Sequence, residues 1–392
     1  MIKEINSSQL ITGMYVHKLH CSWAEHPFMR NKFLINNATE LKKILDAKIR
    51  IVSIDTDKGK DLSQQKTEKP AAPDPVEENI TPDPEPNLEK RVAEAKNLVK
   101  DASGVVVSFM TEVKLGNQID LEITREVASS ITRMLSKDTH TLLGVSRLKT
   151  KDEYTFIHSV SVSALVAAFA KGLDYSPKEI DQIALGGLLH DIGKALTPNK
   201  ILNKPGKLTN DEFVIMRQHA IDEQNDLLSN YDLPQNALDV ITMHHERPDG
   251  KGYPLGLKDS ELSEVGKMSA IVDIYDALTS VRIYKDAWEP TLALKTMLGW
   301  CPGQLDEDLM RKFIKILGIY PVGSLVELES GKVGLVTEQC EDLLRPILKI
   351  IFDSKQRSYV SEYELNLLEI KQEKVMHIVT PSKYKIDVAS YI

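Results

Sequence analysis

Cysteine is scarce in this chain. The 392 residues hold three: Cys21, Cys301 and Cys340. They are odd in number, far apart and not in metal-type pairs. A disulfide framework is therefore excluded, and the usage fits a reducing compartment. Long apolar runs are also missing. The longest apolar patches are broken by Gly, Lys or Asp, short of the roughly 20 residues that span a bilayer. Met1 to Leu10 is polar and lacks a signal-peptide core. The expectation is a cytoplasmic protein that outside signals reach only through a partner. Excess positive charge is absent too, with a formal net charge of −8. Nucleic-acid polymers normally meet a basic face, so long duplexes are poor partners; a small anionic ligand needs only a local basic pocket. No internal repeat is visible.

The chain is long enough for two or three domains and at least one full core. Residues 1–60 read as a small α/β unit. Met14–Leu19 and Arg50–Ile54 have strand character. Asn37–Ala47 carries Leu41, Ile44 and Leu45 at helical spacing, with Asn37 as a candidate N-cap. Residues 61–86 are rich in Pro, Glu and Asp and bury too little to offset ordering entropy, so they read as a disordered linker. Residues 87–150 read as connecting helices, led by Leu88–Leu98 and Leu121–Leu135. Helical patterning continues over 151–317. Phe156–Leu173 reads as amphipathic, Pro177–His190 opens on a Ser-Pro start, and Thr209-x-x-Glu212 is a capping box. Over 318–392 the pattern alternates, with a hairpin around Ser330-Gly331 and further strands at Ile347–Phe352 and Val375–Val379. The predicted fold class is mainly α: a helical bundle with a small N-terminal α/β domain and a short β-rich C-terminal appendage.

The chemistry gathers in histidines. Five of the ten fall at His158, His190, His219, His244 and His245. Ile180, Ile183, Ala184, Gly187 and Leu188 form one apolar stripe whose continuation lands on Asp191. A carboxylate on such a stripe is costly unless paired or bound to a metal. A His-Asp dipeptide alone is weak, because it is common by chance. His244-His245-Glu246-Arg247 is followed by Asp249-Gly250-Lys251-Gly252-Tyr253-Pro254, where glycines permit close backbone approach and Pro254 fixes the exit. Either half alone reads as a solvated helix end with a surface turn. Asp273 sits in an apolar run, and Asp276 lies i+3 from it on one helix face.

Taken together, "GLLHDIGK", "ILNKPGKLTNDEF", "HHERPDGKGYP" and "DIYDALTSVRIYK" resemble the HD-GYP family of metal-dependent cyclic di-GMP phosphodiesterases, in the family's order and with similar spacing from Thr155 to Lys285. The bundle is then of the HD type. The N-terminal segment, through "GMYVHKL", "HPF" and "VSIDTDKG", resembles a small uncharacterised domain found ahead of HD-GYP domains. The resemblance implies His158, His190, Asp191, His219, His244, His245 and Asp273 as ligands to two divalent metals bridged by Asp191. Iron or manganese suits such ligands, and zinc or nickel would be accepted. Some family members hold a third metal with a Glu one turn before the first His; here Tyr154 stands at that position and Glu153 beside it. The resemblance further implies Lys194 at the scissile phosphate, Arg282 and Lys285 as a phosphate-binding pair, and Tyr253 near the substrate. Lys204 and Lys207 are candidates for the entrance.

The activity implied is hydrolysis of cyclic di-GMP to pGpG, and in a second cut GMP, by a hydroxide bridging the two metals. Asp191 and Lys194 are the catalytic candidates. Two rivals stand: a non-catalytic cyclic di-GMP receptor or protein-docking module, and an HD phosphohydrolase acting on another nucleotide. Partners expected beyond the nucleotide are other signalling proteins, and the helices before Thr155 are candidates for homodimer pairing. Trp23, His26 and Phe28 form a candidate patch, although Trp23 and Phe28 suit a small domain's own core.

Overall fold

In the computed structural model, the structure describes residues 2–19, 32–35, 38–46, 49, 51–60, 88–146, 154–220, 228–229, 231–280, 287–386, 388 and 391. Two compact units emerge, Met1–Pro86 and Asn87–Ile392.

The first unit is a four-stranded antiparallel sheet with one helix. Its strands are β1 (Ile2–Asn6), β2 (Tyr15–Leu19), β3 (Phe33–Leu34) and β4 (Ile51–Asp55), in the order β1-β4-β2-β3. Helix α1 (Ala38–Asp46) follows β3. Met14, Val16, Ile35, Ile44, Val52 and Ile54 are fully buried and form its core. The two strands and the helix expected from sequence are present; β1 and β3 were not foreseen. The linker, the proposed N-cap Asn37 and the patch of Trp23, His26 and Phe28 lie outside the described residues.

The second unit is built around α4 (Tyr154–Gly172). Against it pack α2 (Leu88–Lys114), α3 (Leu121–Ser146), α5 (Pro177–Leu189), α9 (Glu264–Thr279) and α11 (Glu307–Leu317). Between these come α6 (Asn199–Leu202), α7 (Asn210–Arg217), α8 (Gln235–Met243) and α10 (Pro290–Leu298). The amphipathic reading of Phe156–Leu173 is corrected here, because residues 157–170 are buried around the whole circumference. Its serines do not mark a wet face. Ser161 Oγ donates to the Ser146 carbonyl at 2.8 Å and Ser163 Oγ to the Ala184 carbonyl at 2.7 Å, which removes the penalty for burying a hydroxyl. Both connecting helices extend beyond their sequence-based ranges, and α3 bends at Asp138, the one non-helical residue inside it.

Helix starts follow the local code. Ser176 and Glu179 form a capping box ahead of Pro177 in α5, and Thr209 with Glu212 does so in α7. Gly187 sets how closely α5 lies on α4. A Cβ there would stand 2.6 Å from the Ser163 Cα, so only glycine allows this approach, which brings the end of α5 beside His158.

The C-terminal part is a five-stranded antiparallel sheet: β5 (Leu325–Leu328), β6 (Lys332–Glu338), β7 (Ile347–Asp353), β8 (Ser358–Asn366) and β9 (Val375–Ile378), in the order β8-β7-β6-β5-β9. The β5–β6 hairpin turns at Ser330-Gly331, where Gly331 has φ +89°. No described helix is long and apolar enough to cross a membrane.

Candidate metal centre

Three of the histidines sit where a helix or turn runs out. His190 is the C-cap of α5, His244 is the C-cap of α8, and His219 lies in the 3₁₀ turn Gln218–Ala220 after α7. The last carbonyls of a helix lack an intrahelical donor. Each ring uses one: His190 Nδ1 bonds the Gly187 carbonyl at 2.9 Å, His244 Nδ1 that of Ile241 at 2.8 Å, and His219 Nδ1 that of Met216. A carbonyl can only accept, so Nδ1 carries the proton and Nε2 presents a lone pair. His158, near the start of α4, is fixed differently: its Nδ1 bonds Asp276 Oδ2 at 2.6 Å.

The Nε2 atoms converge on two carboxylates. Asp191 Oδ1 lies 3.4 Å from His219 Nε2 and 3.8 Å from His244 Nε2. Asp191 Oδ2 lies 3.3 Å from His190 Nε2 and 3.5 Å from His158 Nε2. Asp273 Oδ1 is 3.1 Å from His158 Nε2, and its Oδ2 is 3.7 Å from His245 Nδ1. The donors fall into two groups, Asp191 with His219, His244 and His245, and His158 with His190 and Asp273. Within each, the ligand atoms lie within 4.8 Å of one another. The two oxygens of Asp191 thus face opposite groups.

This donor set fits divalent metal. Asp191 is 1 % exposed, and its Oδ1 and the His244 Nε2 are buried without a hydrogen-bond partner. Unpaired buried polar atoms are costly, and a cation among them removes the cost. Electrostatics agree. Burial holds the His244 ring down to about 3 and the His219 ring to about 4, and His245 also lies well below its usual range. These imidazoles stay neutral, as ligation requires. Burial opposes charge on Asp191, but His190 and Lys194 outweigh it and hold the carboxyl well below the usual range. Asp273 is held low in the same way, by His158 and His245 against its burial. Burial would also lower His158, yet its bonds to Asp273 and Asp276 win and raise it.

After Asp191 the chain enters a 3₁₀ turn, Ile192–Leu196, which returns Lys194 to the centre with Nζ 2.5 Å from Asp191 Oδ2. The sequence reading ran the helix through His190; α5 instead ends at Leu189, and this sharper exit lets His190 and Asp191 both face inward. Lys204 pairs with Glu212, and Lys207 is exposed. The Gly-Tyr-Pro loop is held from within. Buried Glu246 accepts the backbone N–H of Leu255 at 2.7 Å, of Gly256 at 3.1 Å and of Leu257 at 3.0 Å. A Cβ on Gly252 would stand 2.5 Å from the Glu246 Cα, so the loop sits directly on the His-His-Glu backbone. Tyr253 consequently stacks on His245, ring centroids 4.5 Å apart. Arg282, Lys285 and Glu153 lie outside the described residues, as does the side chain of Tyr154.

Sequence reasoning missed the roles of two acids. The spacing of Asp276 to Asp273 was visible, but that it turns across to α4 and orients His158 is tertiary. Glu246 stands in the motif, yet nothing in the sequence says that it is buried. Carboxylates that orient ligating imidazoles are worth about 10- to 100-fold in metal affinity. Asp276→Asn is therefore expected to weaken metal binding by about that factor, read by competition with a chromophoric chelator. Unchanged affinity would remove Asp276 from the account.

Comparison with known proteins is consistent with this geometry. A family model described as an HD domain matches residues 127–300, and a domain of unknown function (DUF3391) matches residues 2–124. A cyclic di-GMP phosphodiesterase of Pseudomonas aeruginosa is 39% identical over 370 residues, covering 94% of this chain and 89% of that protein. A cyclic di-GMP phosphodiesterase of Thermotoga maritima is 39% identical over 137 residues, 35% of this chain and 37% of its own length. A 3'3'-cGAMP-specific phosphodiesterase of Vibrio cholerae is 37% identical over 135 residues, 34% of this chain and 31% of its own length.

Proposed function

Since the chain belongs to the family of HD-domain cyclic di-GMP phosphodiesterases in which a DUF3391 domain precedes the HD domain, we propose that it hydrolyses cyclic di-GMP at the buried His/Asp centre. The observation that carries this reading is Asp191, a buried carboxylate whose two oxygens face two separate groups of imidazole nitrogens. His158, His190 and Asp273 would hold one divalent metal, and His219, His244 and His245 the other, with Asp191 shared. Iron or manganese is the preferred identity for this nitrogen and oxygen set. When bound, the metals supply a nucleophile from water near neutral pH and offset charge building on the phosphoryl oxygens.

The chain's own residues do the rest. The backbone carbonyls and Asp276 keep the rings of His158, His190, His219 and His244 each in one tautomer, so these four need not reorient during turnover. Lys194 brings a positive charge to Asp191 and to the side where the scissile phosphate docks, stabilising the transition state. Tyr253, fixed on His245, limits the space beside the phosphate. Arg282 and Lys285 complete the proposed anion site. Water adds across the P–O3′ bond: phosphorus gains the oxygen, and the 3′ oxygen leaves and takes a proton. The product is pGpG, and a repeat of the step gives GMP.

The reading extends to context. The catalytic domain is residues 151–317, joined through helices 87–150 and a linker 61–86 to the N-terminal domain 1–60, with the appendage 318–392 beyond. The setting is the bacterial cytoplasm, with other signalling proteins as partners and pairing through the helices before Thr155. The relative specific for 3'3'-cGAMP gives one alternative substrate footing. Competition between equal concentrations of the two cyclic dinucleotides separates them. Preferential loss of cyclic di-GMP supports the proposal, and preferential loss of 3'3'-cGAMP overturns it. Tight retention of cyclic di-GMP without turnover would instead mark a receptor.

A further inference from the structure

One cation beside the centre has no role in the account above. Arg217 ends α7, two residues before His219. Its guanidinium lies over two aromatic rings, 4.5 Å from the centroid of Phe213 and 4.9 Å from that of Tyr253. Those rings meet edge to face at 6.2 Å. Phe213 is 41% exposed, so the pair forms a platform at the surface and not a core contact. No carboxylate among the described residues pairs with Arg217, and its Nε is buried without a hydrogen-bond partner. A guanidinium held against aromatic rings can present its planar fork to a bidentate anion. The same Tyr253 ring rests on His245, which ties the platform to the metal centre through one side chain.

We propose that Arg217 is a substrate-positioning residue that binds a phosphate of the substrate other than the one attacked. This rests on the cyclic-dinucleotide reading of the site. Such a ligand carries two phosphodiesters. Lys194 stands beside Asp191 at the centre and serves the first. Arg217 stands one ring further out, beyond the ligands, and its charge, unpaired among the described residues, calls for the second. The aromatic platform explains the choice of Arg, because a lysine's compact ammonium would not spread over two rings.

The test compares two substrates in the full-length, metal-quantified protein. Bis(p-nitrophenyl) phosphate has a single phosphodiester and reports on the centre alone. Cyclic di-GMP reports on both positions. Arg217→Ala is expected to raise KM for cyclic di-GMP about 10- to 100-fold, the worth of a hydrogen bond to a charged group. The kcat for cyclic di-GMP, the turnover of bis(p-nitrophenyl) phosphate and the metal content stay near parent values. Arg217→Lys recovers part of the KM loss, because charge remains but the fork is gone. An unchanged KM, or an equal fall with both substrates, overturns the inference while leaving the site reading in place. If the parent itself fails to turn over cyclic di-GMP, the site reading falls and this inference falls with it.

Discussion

Replacing Asp191 by Ala is expected to abolish turnover and to strip metal from the protein together. The two oxygens of Asp191 approach both imidazole groups, at 3.3 to 3.8 Å. Its loss removes the shared negative charge that would balance two divalent cations. Positively charged Lys194 and the cations would then sit close together with less compensation. The expected fall in kcat/KM is on the order of 10³-fold or more, since both nucleophile generation and charge stabilisation depend on the centre. Bound metal should drop from about two per chain toward none. Asp191→Asn guards against a folding artefact, because it keeps the shape and removes the charge. It should fold as the parent does and remain inactive. Parent-level turnover in either variant contradicts the assignment.

The second large effect is expected at Glu246. Its carboxylate accepts the N–H groups of Leu255, Gly256 and Leu257, and it is 2% exposed. Removing a buried acceptor leaves its donors unsatisfied, at about 1–3 kcal/mol each. Glu246→Ala should therefore open the Gly-Tyr-Pro loop locally, by roughly 3 kcal/mol in total. The loop carries Tyr253, so kcat/KM for cyclic di-GMP is expected to fall about 100-fold, the rate equivalent of that opening. The proposed metal ligands lie outside the loop itself, and the metal content should hold. Hydrogen exchange reads the cause directly: the amides of Leu255, Gly256 and Leu257 should lose protection in the variant. Unchanged protection at those amides would show that the loop is held by something else.

These two acids mark how far the sequence could be read. Asp191 was legible because an apolar stripe ran into a carboxylate, a local conflict that a bound metal would resolve. His190, His244 and His245 were legible as short runs at helix ends. The capping box at Thr209 and Glu212 and the turn at Ser330-Gly331 are local codes, and the structure follows them. Glu246 and Asp276 act across the fold, on a loop and on α4 respectively, and their partners are set only by packing. The same holds for α4, which reads as amphipathic but is buried all round over 157–170, with the Ser161 and Ser163 hydroxyls bonded to the carbonyls of Ser146 and Ala184. Strand β8 was missed because it is an edge strand with most of its residues at least partly exposed, so it lacks the apolar alternation that revealed its neighbours. Arg217 was passed over because a lone arginine on a helix usually faces solvent; its aromatic platform joins α7 to a loop more than 30 residues away.

The most direct measurement of the central claim is turnover of cyclic di-GMP by anaerobically purified protein whose metal content has been quantified, before and after chelation and again after iron or manganese is restored. The account predicts that the metal-loaded protein converts cyclic di-GMP to pGpG or GMP, that chelation stops the conversion, and that the restored metal revives it. A metal-loaded protein that leaves cyclic di-GMP intact, or a chelated protein that still cleaves it at the original rate, would contradict the account.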